Sequence, residues 1–254
     1  MKKPAILLFF IFTLGAVGSF ALTQSKTKQF KKSIEMGKAK EVKTDINFFS
    51  GELNISTSTN DLAECLYGYD DGFIRPKMTY SEIGSIGYLT IESEEQDKGI
   101  DESNHWDLKL NKNVKNELSV KLRAGKANID LEGCKLRGFN YRMTAGESNI
   151  NLRNTSVPQV SFNLLAGEAN IDLSGEWNND GVAEIKGGVG EITVSVPYNM
   201  GVKIIVTGML GDVNIPFFHK VGNEYTNDSF GKSKHIIFLS ISGGIGQINV
   251  KMAE

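Results

Sequence analysis

One short unit, written repeatedly along the second half of the chain, constrains the fold more than any other feature. Three copies follow one another at intervals of 21 residues: AGKANIDL at Ala124, AGESNINL at Ala145 and AGEANIDL at Ala166. Three further copies continue the frame, GGVGEITV, GMLGDVNI and GGIGQINV, the last of them after 14 additional residues. A fixed period of this kind indicates a solenoid, in which each repeat packs against its neighbours.

Within each copy, apolar and polar residues alternate with period two, which is typical of a half-buried strand. When the copies are stacked, one apolar column comprises Ile129, Ile150, Ile171, Ile192, Val213 and Ile248. A second strand precedes each of these, with an inward column that runs Val120, Tyr141, Phe162, Ala183, Ile204 and Leu239. The sequence therefore predicts an all-β, single-chain parallel β-solenoid with 21-residue coils, and the crossover preference predicts a right-handed one.

Small residues mark the corner between the two strands of each coil. Ala-Gly occupies it in the first three copies, and Gly-Gly or Gly-Met in the later ones. Glycine permits the left-handed backbone values that a sharp bend requires. The change from AGxA or AGxS to GxxG at the fourth copy predicts a different bend in an unchanged register.

The N-terminal residues 1–21 have the three parts of a secretory signal peptide. Lys2 and Lys3 precede an apolar run, which ends in the small residues of Ser19-Phe20-Ala21. The alternative is an uncleaved membrane anchor, because the run approaches the minimum length of a span. Either interpretation places the rest of the chain outside the cytoplasm, in the periplasm or at the cell surface, with membrane contact only through an uncleaved segment.

Three further regions follow that segment. Residues 22–32 are predicted to be a basic linker, residues 33–110 blurred N-terminal capping coils, and residues 111–254 the regular solenoid. The insertion at 217–234 interrupts the period and includes the aromatic residues Phe218 and Tyr225. It is either a cap over the end of the solenoid or a protruding recognition loop, since insertions in repeat proteins map to loops on one face.

The ordered succession of these features resembles a known family. SIEMGKAKEVKTDINFFSGELNIS (33–56) is followed by a tyrosine-bearing stretch, then by NHWDLKLN (104–111) and the AGxxNIDL and GxxGxIxV repeats. This order resembles the bacterial toast-rack proteins and the C-terminal domain of LiaF-type envelope-stress regulators. The resemblance implies an extracytoplasmic β-solenoid that is adhesin-like or linked to stress responses. The chain differs from those regulators in having one apolar segment where they have several.

Two polar columns are the strongest candidates for a binding site. They comprise Asn128, Asn149 and Asn170, and Asp130, Asn151 and Asp172. Amide and carboxylate groups repeated along one face could bind glycan hydroxyls or calcium, which takes several oxygen ligands. The alternative is structural: stacked asparagines hydrogen-bond to one another along the axis of parallel strands.

Other classes of site have little support in the sequence. The three histidines are far apart and lie in no HxxxH or HExxH motif, and no GxSxG or P-loop occurs, so we expect no metal, no cofactor and no catalytic residue. A net charge of −2 gives no reason to expect nucleic acid. Cys65 and Cys134 could form a disulfide in an oxidising compartment, although they do not fall in one column of adjacent coils.

We therefore expect a non-enzymatic, exported β-solenoid that serves as a scaffold or adhesin-like module of the cell envelope, and the family resemblance links it to envelope-stress sensing. Its partner would be an envelope protein or a glycan, bound through the polar columns or through Phe218 and Tyr225. The alternatives are a carbohydrate-active enzyme of the β-helix type and a purely structural envelope protein.

Overall fold

The computed structural model describes residues 28–69, 76–93 and 104–254, and these form an all-β protein. Their strands, in chain order, are β1 (Lys28–Ile34), β2 (Glu41–Ser56), β3 (Ser58–Tyr69), β4 (Pro76–Ile83), β5 (Ile86–Ser93), β6 (His105–Asn111), β7 (Lys115–Asp130), β8 (Leu136–Asn151), β9 (Gln159–Asp172), β10 (Gly181–Pro197), β11 (Gly201–Thr207), β12 (Leu210–Asn214), β13 (His219–Val221), β14 (Glu224–Thr226), β15 (Ile236–Ser242) and β16 (Ile245–Ala253). Over the same residues, the structure shows no helix that could cross a membrane. The predicted signal peptide lies outside the described residues.

Each central coil is one long strand bent in the middle, where the sequence predicts two strands and a corner. Strands β2, β7, β8, β9 and β10 stack in parallel, and in the outer coils the two arms are separate strands. The inward side chains of both arms form one continuous apolar core. In the first arm, Val120, Tyr141 and Phe162 lie side by side, as the 21-residue period predicts.

The order of the coils in the stack differs from their order in the sequence. Strands β15 and β16, the last in the chain, lie between β10 and the coil formed by β11 and β12. At the other end, β2 lies between β7 and the coil formed by β5 and β6. The prediction of sequential stacking is therefore wrong at both ends. At the C-terminal end the chain skips one position and later returns to fill it, and at the N-terminal end it passes from β6 across β2 to β7.

The register also shifts at β10. The 21-residue period pairs Ile192 with Ile171, but in the structure Val194 lies opposite Ile171, and Ile185 opposite Phe162. The two additional residues belong to the turn between β9 and β10, which accommodates the buried indole of Trp177. A shift of two residues leaves every side chain on its original face, so the alternation of the sequence continues unchanged.

Antiparallel strands cover most of the exposed edges of the stack. At the N-terminal end, β4 pairs with β5, while β3 pairs with β6 and β1 pairs with β3. Residues 28–32, predicted to be linker, thus belong to β1, and the tyrosine-bearing stretch begins in β3. Such pairing removes the unsatisfied strand edges that promote aggregation.

The insertion forms a hairpin at the C-terminal end. Strands β13 and β14 pair with each other, and β14 pairs antiparallel with β11. Asn227, which is 3% exposed, fixes the hairpin: its amide donates to the carbonyl of Met200 at 2.7 Å and accepts from the backbone N–H of Val202 at 2.9 Å. The insertion therefore covers one edge of the solenoid, as the cap interpretation predicts.

The two cysteines do not form a disulfide. Cys65 in β3 and Cys134, in the turn after β7, are both free and buried. Cys65 lies in the strand that covers β6, on a different part of the stack from the turn that contains Cys134. The possibility of a covalent link, left open by the sequence, is thus not realised.

Candidate functional site

The predicted polar columns are brought together on the outer face of the second arm. Asn128, Asn149 and Asn170 occupy equivalent positions on β7, β8 and β9, and Asn54 of β2 extends their column by one coil. Asp130, Asn151 and Asp172 form the second column two residues further along each strand. The columns follow from the repeat itself, because alternate residues of a strand point to the same face.

The asparagine column is a hydrogen-bonded ladder. The side-chain amide of Asn170 donates to Asn149 at 3.1 Å, that of Asn149 to Asn128 at 3.2 Å, and that of Asn128 to Asn54 at 3.0 Å. Asn54 in turn donates to the carboxylate of Asp107 at 3.1 Å. Every amide is therefore oriented in the same direction, and a ladder of this kind stabilises stacked parallel strands.

The ladder leaves part of each amide available. An asparagine side chain has two N–H donors and a carbonyl oxygen with two lone pairs. An internal member of the ladder uses one donor and one acceptor, so one of each remains directed towards solvent. The face thus has a structural role and retains a regular array of hydrogen-bonding groups, and its binding of a ligand stays a proposal.

The second column turns the chain at the end of each long strand. The side-chain oxygen of Asp130 accepts from the backbone N–H of Glu132 at 3.3 Å, that of Asn151 from Arg153 at 3.0 Å, and that of Asp172 from Ser174 at 2.8 Å. Asp and Asn favour turns through this bond to the backbone two residues on. The sequence contained this signal, an Asp or Asn followed by Leu at each strand end, but its role was missed.

A groove of about 570 Å³ runs between the two columns and continues past Thr193 and Ser195 to Lys251. Asp130 and Asp172 are separated by the coil of Asn151, so their strands are about 9.6 Å apart, and the binding of calcium there stays a proposal. Within the described ranges, no three His, Cys, Asp or Glu side chains are grouped to hold a metal.

The two aromatic candidates lie at the C-terminal end, apart from the polar columns. Tyr225 is 8% exposed on β14, and Phe218 is partly buried against the core. Phe217, next to it, is 83% exposed and has a positive φ of 66°. Phe218 and Tyr225, the side chains proposed from sequence, are thus mainly part of the cap. The exposed aromatic residue of the insertion is Phe217, which was not among the predicted binding residues.

Two comparisons relate this fold to other proteins. A crystal structure of a candidate cell adhesion protein from Clostridium sporogenes ATCC 15579 is 29% identical to this chain, covers 90% of it and 100% of its own length, and has a TM-score of 0.66. The family model for the N-terminal domain of toast_rack, DUF2154, matches residues 23–164 and 138–195, and so more than half of the chain. The chain belongs to the toast-rack family. No curated protein matches it.

Weaker structural likenesses to the toast-rack chain are also found. A candidate adhesin from Bacteroides fragilis NCTC 9343 is 14% identical, covers 88% of this chain and 97% of its own, and has a TM-score of 0.31. A candidate lipid binding protein from Parabacteroides distasonis ATCC 8503 is 12% identical with the same TM-score of 0.31, over 88% of this chain and 97% of its own. Those scores are too low to support an argument about function.

The toast-rack chain pairs each of its histidines with a carboxylate. His105 lies 3.1 Å from Asp107 and 3.5 Å from Glu52, at the end of the asparagine ladder. His219 lies 2.6 Å from Asp228, and His235 lies 3.5 Å from Asp180. In the part of the chain that is described, the rings of these histidines form no hydrogen bond to a cysteine or serine side chain, which a catalytic triad would require; the hydroxyl of Ser233 donates instead to the backbone carbonyl of His235 at 2.8 Å.

Proposed function

We propose that this toast-rack protein is a non-enzymatic adhesion module that acts outside the cytoplasm and binds its partner along the side of the β-solenoid. The observation that supports this most directly is the likeness to the candidate cell adhesion protein of Clostridium sporogenes, which extends over 90% of this chain at a TM-score of 0.66. A likeness of that extent is not confined to one motif.

The shape of the stack suits an extended contact. Its coils follow one another in the order β5 with β6, β2, β7, β8, β9, β10, β15 with β16, and β11 with β12. At about 4.8 Å between neighbouring strands, these layers extend for about 35 Å. A linear partner could therefore contact several coils at once.

Export is part of this proposal and is supported by the features of residues 1–21, namely two lysines, an apolar run and a small-x-small end. A partner in the cell envelope, protein or glycan, would be consistent with export.

The proposal is tested in the native organism. The full chain with a C-terminal epitope tag is followed by cell fractionation, beside a variant in which Leu7 and Leu8 are changed to Arg to disrupt the apolar run. We expect the unmodified chain in the extracytoplasmic fraction and the variant inside the cell.

In parallel, deletion of the gene should reduce attachment of the cells to the surfaces that the organism colonises, and expression of the full chain should restore attachment. A cytoplasmic location, or unchanged attachment, would contradict the proposal.

A further inference from the structure

A second groove, of about 710 Å³, lies on the first arm of the coils, away from the asparagine ladder. Its lining carries four positive charges, from Lys77, Lys121, Arg123 and Arg142, and one negative charge, from Glu92. The net charge of the lining is therefore +3, in a chain whose net charge is −2. A concave surface with one sign of charge concentrates ligands of the opposite sign.

Two of these cations lie next to each other without a carboxylate between them. Lys121 of β7 is directly opposite Arg142 of β8 in the register, and the strands are about 4.8 Å apart. Both side chains are exposed, and neither forms an ion pair with any described residue. Like charges directly opposite on neighbouring strands destabilise a sheet. The charges of these two side chains are therefore not compensated within the described part of the stack.

Other columns of the same stack show the arrangement that stability favours. Lys43 lies opposite Glu117 with the charged groups 3.3 Å apart, and Lys126 lies opposite Glu147 at 3.2 Å. In each case a cation on one coil pairs with a carboxylate on the next, although the second of these columns continues from Glu147 to Glu168 and Glu191, where carboxylates lie opposite one another. Lys121 and Arg142 lack such a carboxylate among the described residues, so the charges of these two side chains are left for a ligand.

Polar and aromatic groups beside the cations indicate the kind of ligand. Asn47 and Thr144 supply an amide and a hydroxyl to the lining, and the half-buried ring of Phe49 lies beneath the guanidinium of Arg123 at 5.1 Å. A guanidinium can bind a carboxylate through two parallel hydrogen bonds. Amide and hydroxyl groups suit the hydroxyls of a sugar, and the Phe49 ring supports the guanidinium of Arg123 beside them.

We propose that this groove binds an acidic polysaccharide, a linear sugar polymer whose carboxylates pair with Lys121 and Arg142. The column continues from Arg142 through Asn163 to Lys186, so a polymer that follows the stack meets a further cation two coils on. This inference rests on the proposed function in that it names the ligand class of a binding module.

The test is a calorimetric titration of the purified full chain with polygalacturonate, with dextran as a neutral polymer and poly(glycerol phosphate) as a phosphate polymer. We expect polygalacturonate to bind, more weakly as salt is raised, and dextran not to bind. The variant Lys121→Glu/Arg142→Glu should lose at least about tenfold in affinity. If that variant fails to fold, Lys121→Gln/Arg142→Gln replaces it. This second variant removes the positive charges without adding repulsion, so its loss of affinity should be smaller.

The matched control is Lys112→Glu/Lys135→Glu. These exposed lysines also lie on adjacent coils, where the backbone N–H of Lys135 donates to the carbonyl of Lys112 at 3.2 Å, and they are not part of the groove. The control changes the net charge by the same amount and should keep its affinity within about twofold, because exposed charges outside the contact are screened by salt. An equal loss in the control would overturn the proposal, as would tighter binding of poly(glycerol phosphate) than of polygalacturonate.

One competing occupant is the chain itself. Residues 94–103 read EEQDKGIDES and follow Ser93, which lines the groove. If polygalacturonate binds only after the carboxylates of this segment are changed to amides, the groove is satisfied internally and the proposal is wrong. The titration does not depend on where the protein acts, so its failure and the failure of the export and attachment experiment are distinguishable.

Discussion

At the scale of single residues, one column of glycines determines how closely the coils approach. Gly125, Gly146, Gly167 and Gly190 all have φ between 114° and 143°, a region that favours glycine. A Cβ added to any of them would lie 1.9–2.1 Å from the carbonyl oxygen of the preceding glycine in the stack. The bend in each strand therefore requires glycine for two reasons, its backbone conformation and the space beside it.

Gly146→Ala should destabilise the protein by at least about 2 kcal/mol, because it combines backbone strain with a clash against Gly125. Gly138→Ala on the same strand is the matched control. Gly138 has no positive φ, and its added Cβ would lie 3.7 Å from the nearest atom, an ordinary contact. We expect that substitution to be neutral or slightly stabilising in urea unfolding. Equal effects of the two substitutions would contradict this account of the corner.

The asparagine ladder makes a second prediction. Asn149 donates to Asn128 and accepts from Asn170, so Asn149→Ala removes two hydrogen bonds and should cost about 1–2 kcal/mol. Asn140→Ala, on the same strand, removes an exposed amide for which the described residues provide no hydrogen-bond partner, and we expect a change within about 0.5 kcal/mol. Thermal unfolding of both variants measures the difference. A stable Asn149→Ala protein would favour a purely ligand-binding role for the column.

The two buried thiols should make the stability of the fold depend on pH. Burial raises the pKa of Cys134 from 9.0 to about 11, and burial together with the charge of Asp107 raises the pKa of Cys65 further. The protonated thiol stabilises the fold fully below the pKa of the unfolded thiol, and this contribution is lost as pH rises through the folded value. Stability should therefore fall between pH 9 and pH 11, less so in Cys134→Ser.

At neutral pH, iodoacetamide should alkylate neither thiol until the protein is unfolded, as intact mass would show. Alkylation of the folded protein would be evidence against the burial of the two thiols.

At the scale of elements, the sequence predicted the strands better than their register. Columns such as Ile129, Ile150 and Ile171 are correct, because a 21-residue period with unchanged turns fixes neighbours uniquely. The two-residue shift at β10 could not be detected from alternation, which repeats every two residues. The relevant signal was Trp177, a large aromatic residue in the turn before β10, and it would have indicated only that this turn differs.

The sequence predicted the candidate site as it predicted the strands, in its residues but not in its detailed geometry. The six polar residues do share one face, because period two dictates it, and the sequence had also suggested the ladder as an alternative. Which amide donates to which, and the role of Asp130 and its equivalents in the turns, depends on three-dimensional geometry. The cationic groove was not predicted, since Lys121 and Arg142 are 21 residues apart and only the stacking of coils brings them together.

The hairpin of β13 and β14 makes a prediction at this scale. Asn227→Ala removes the two hydrogen bonds that tie the hairpin to Met200 and Val202 and leaves those backbone groups buried, which should cost about 2 kcal/mol. Lys232→Ala, an exposed position in the same insertion, should have little effect. Circular dichroism during heating would compare them. If both variants melt with the wild type, the insertion is not a cap, and the exposed Phe217 in the turn before β13 becomes the stronger candidate for a contact residue.

At the scale of the whole molecule, the swapped order of coils shows what a repeat sequence leaves unspecified. Each coil presents similar Ile and Val columns to both of its neighbours, so any coil can stack on any other with comparable burial. The order must therefore be set by the connections and by the antiparallel strands at the ends. Sequential stacking was the simplest expectation from the period, and it fails where the period itself is interrupted.

The swap can be tested by cross-linking, because three exposed apolar residues at the corner mark neighbouring coils. In the structure Val189 of β10 is opposite Ile245 of β16, and Ile245 is opposite Leu210 of β12. Val189 and Leu210 are second neighbours, with strands about 9.6 Å apart. A disulfide needs Cα atoms within about 7 Å of each other. Cysteines placed at Val189 and Ile245 should therefore oxidise readily to a disulfide, and so should cysteines at Ile245 and Leu210.

Cysteines at Val189 and Leu210 should remain free under the same mild oxidation, whereas sequential stacking would make them direct neighbours. All three positions are more than half exposed, at 59%, 56% and 68% for Val189, Ile245 and Leu210, so access to the oxidant does not distinguish the pairs. The native thiols are buried and should not compete. Intact mass under non-reducing conditions gives the result. A disulfide between residues 189 and 210 in preference to 189 and 245 would mean that the coils stack in the order of the sequence, and that the last two strands pack on the outside of the solenoid.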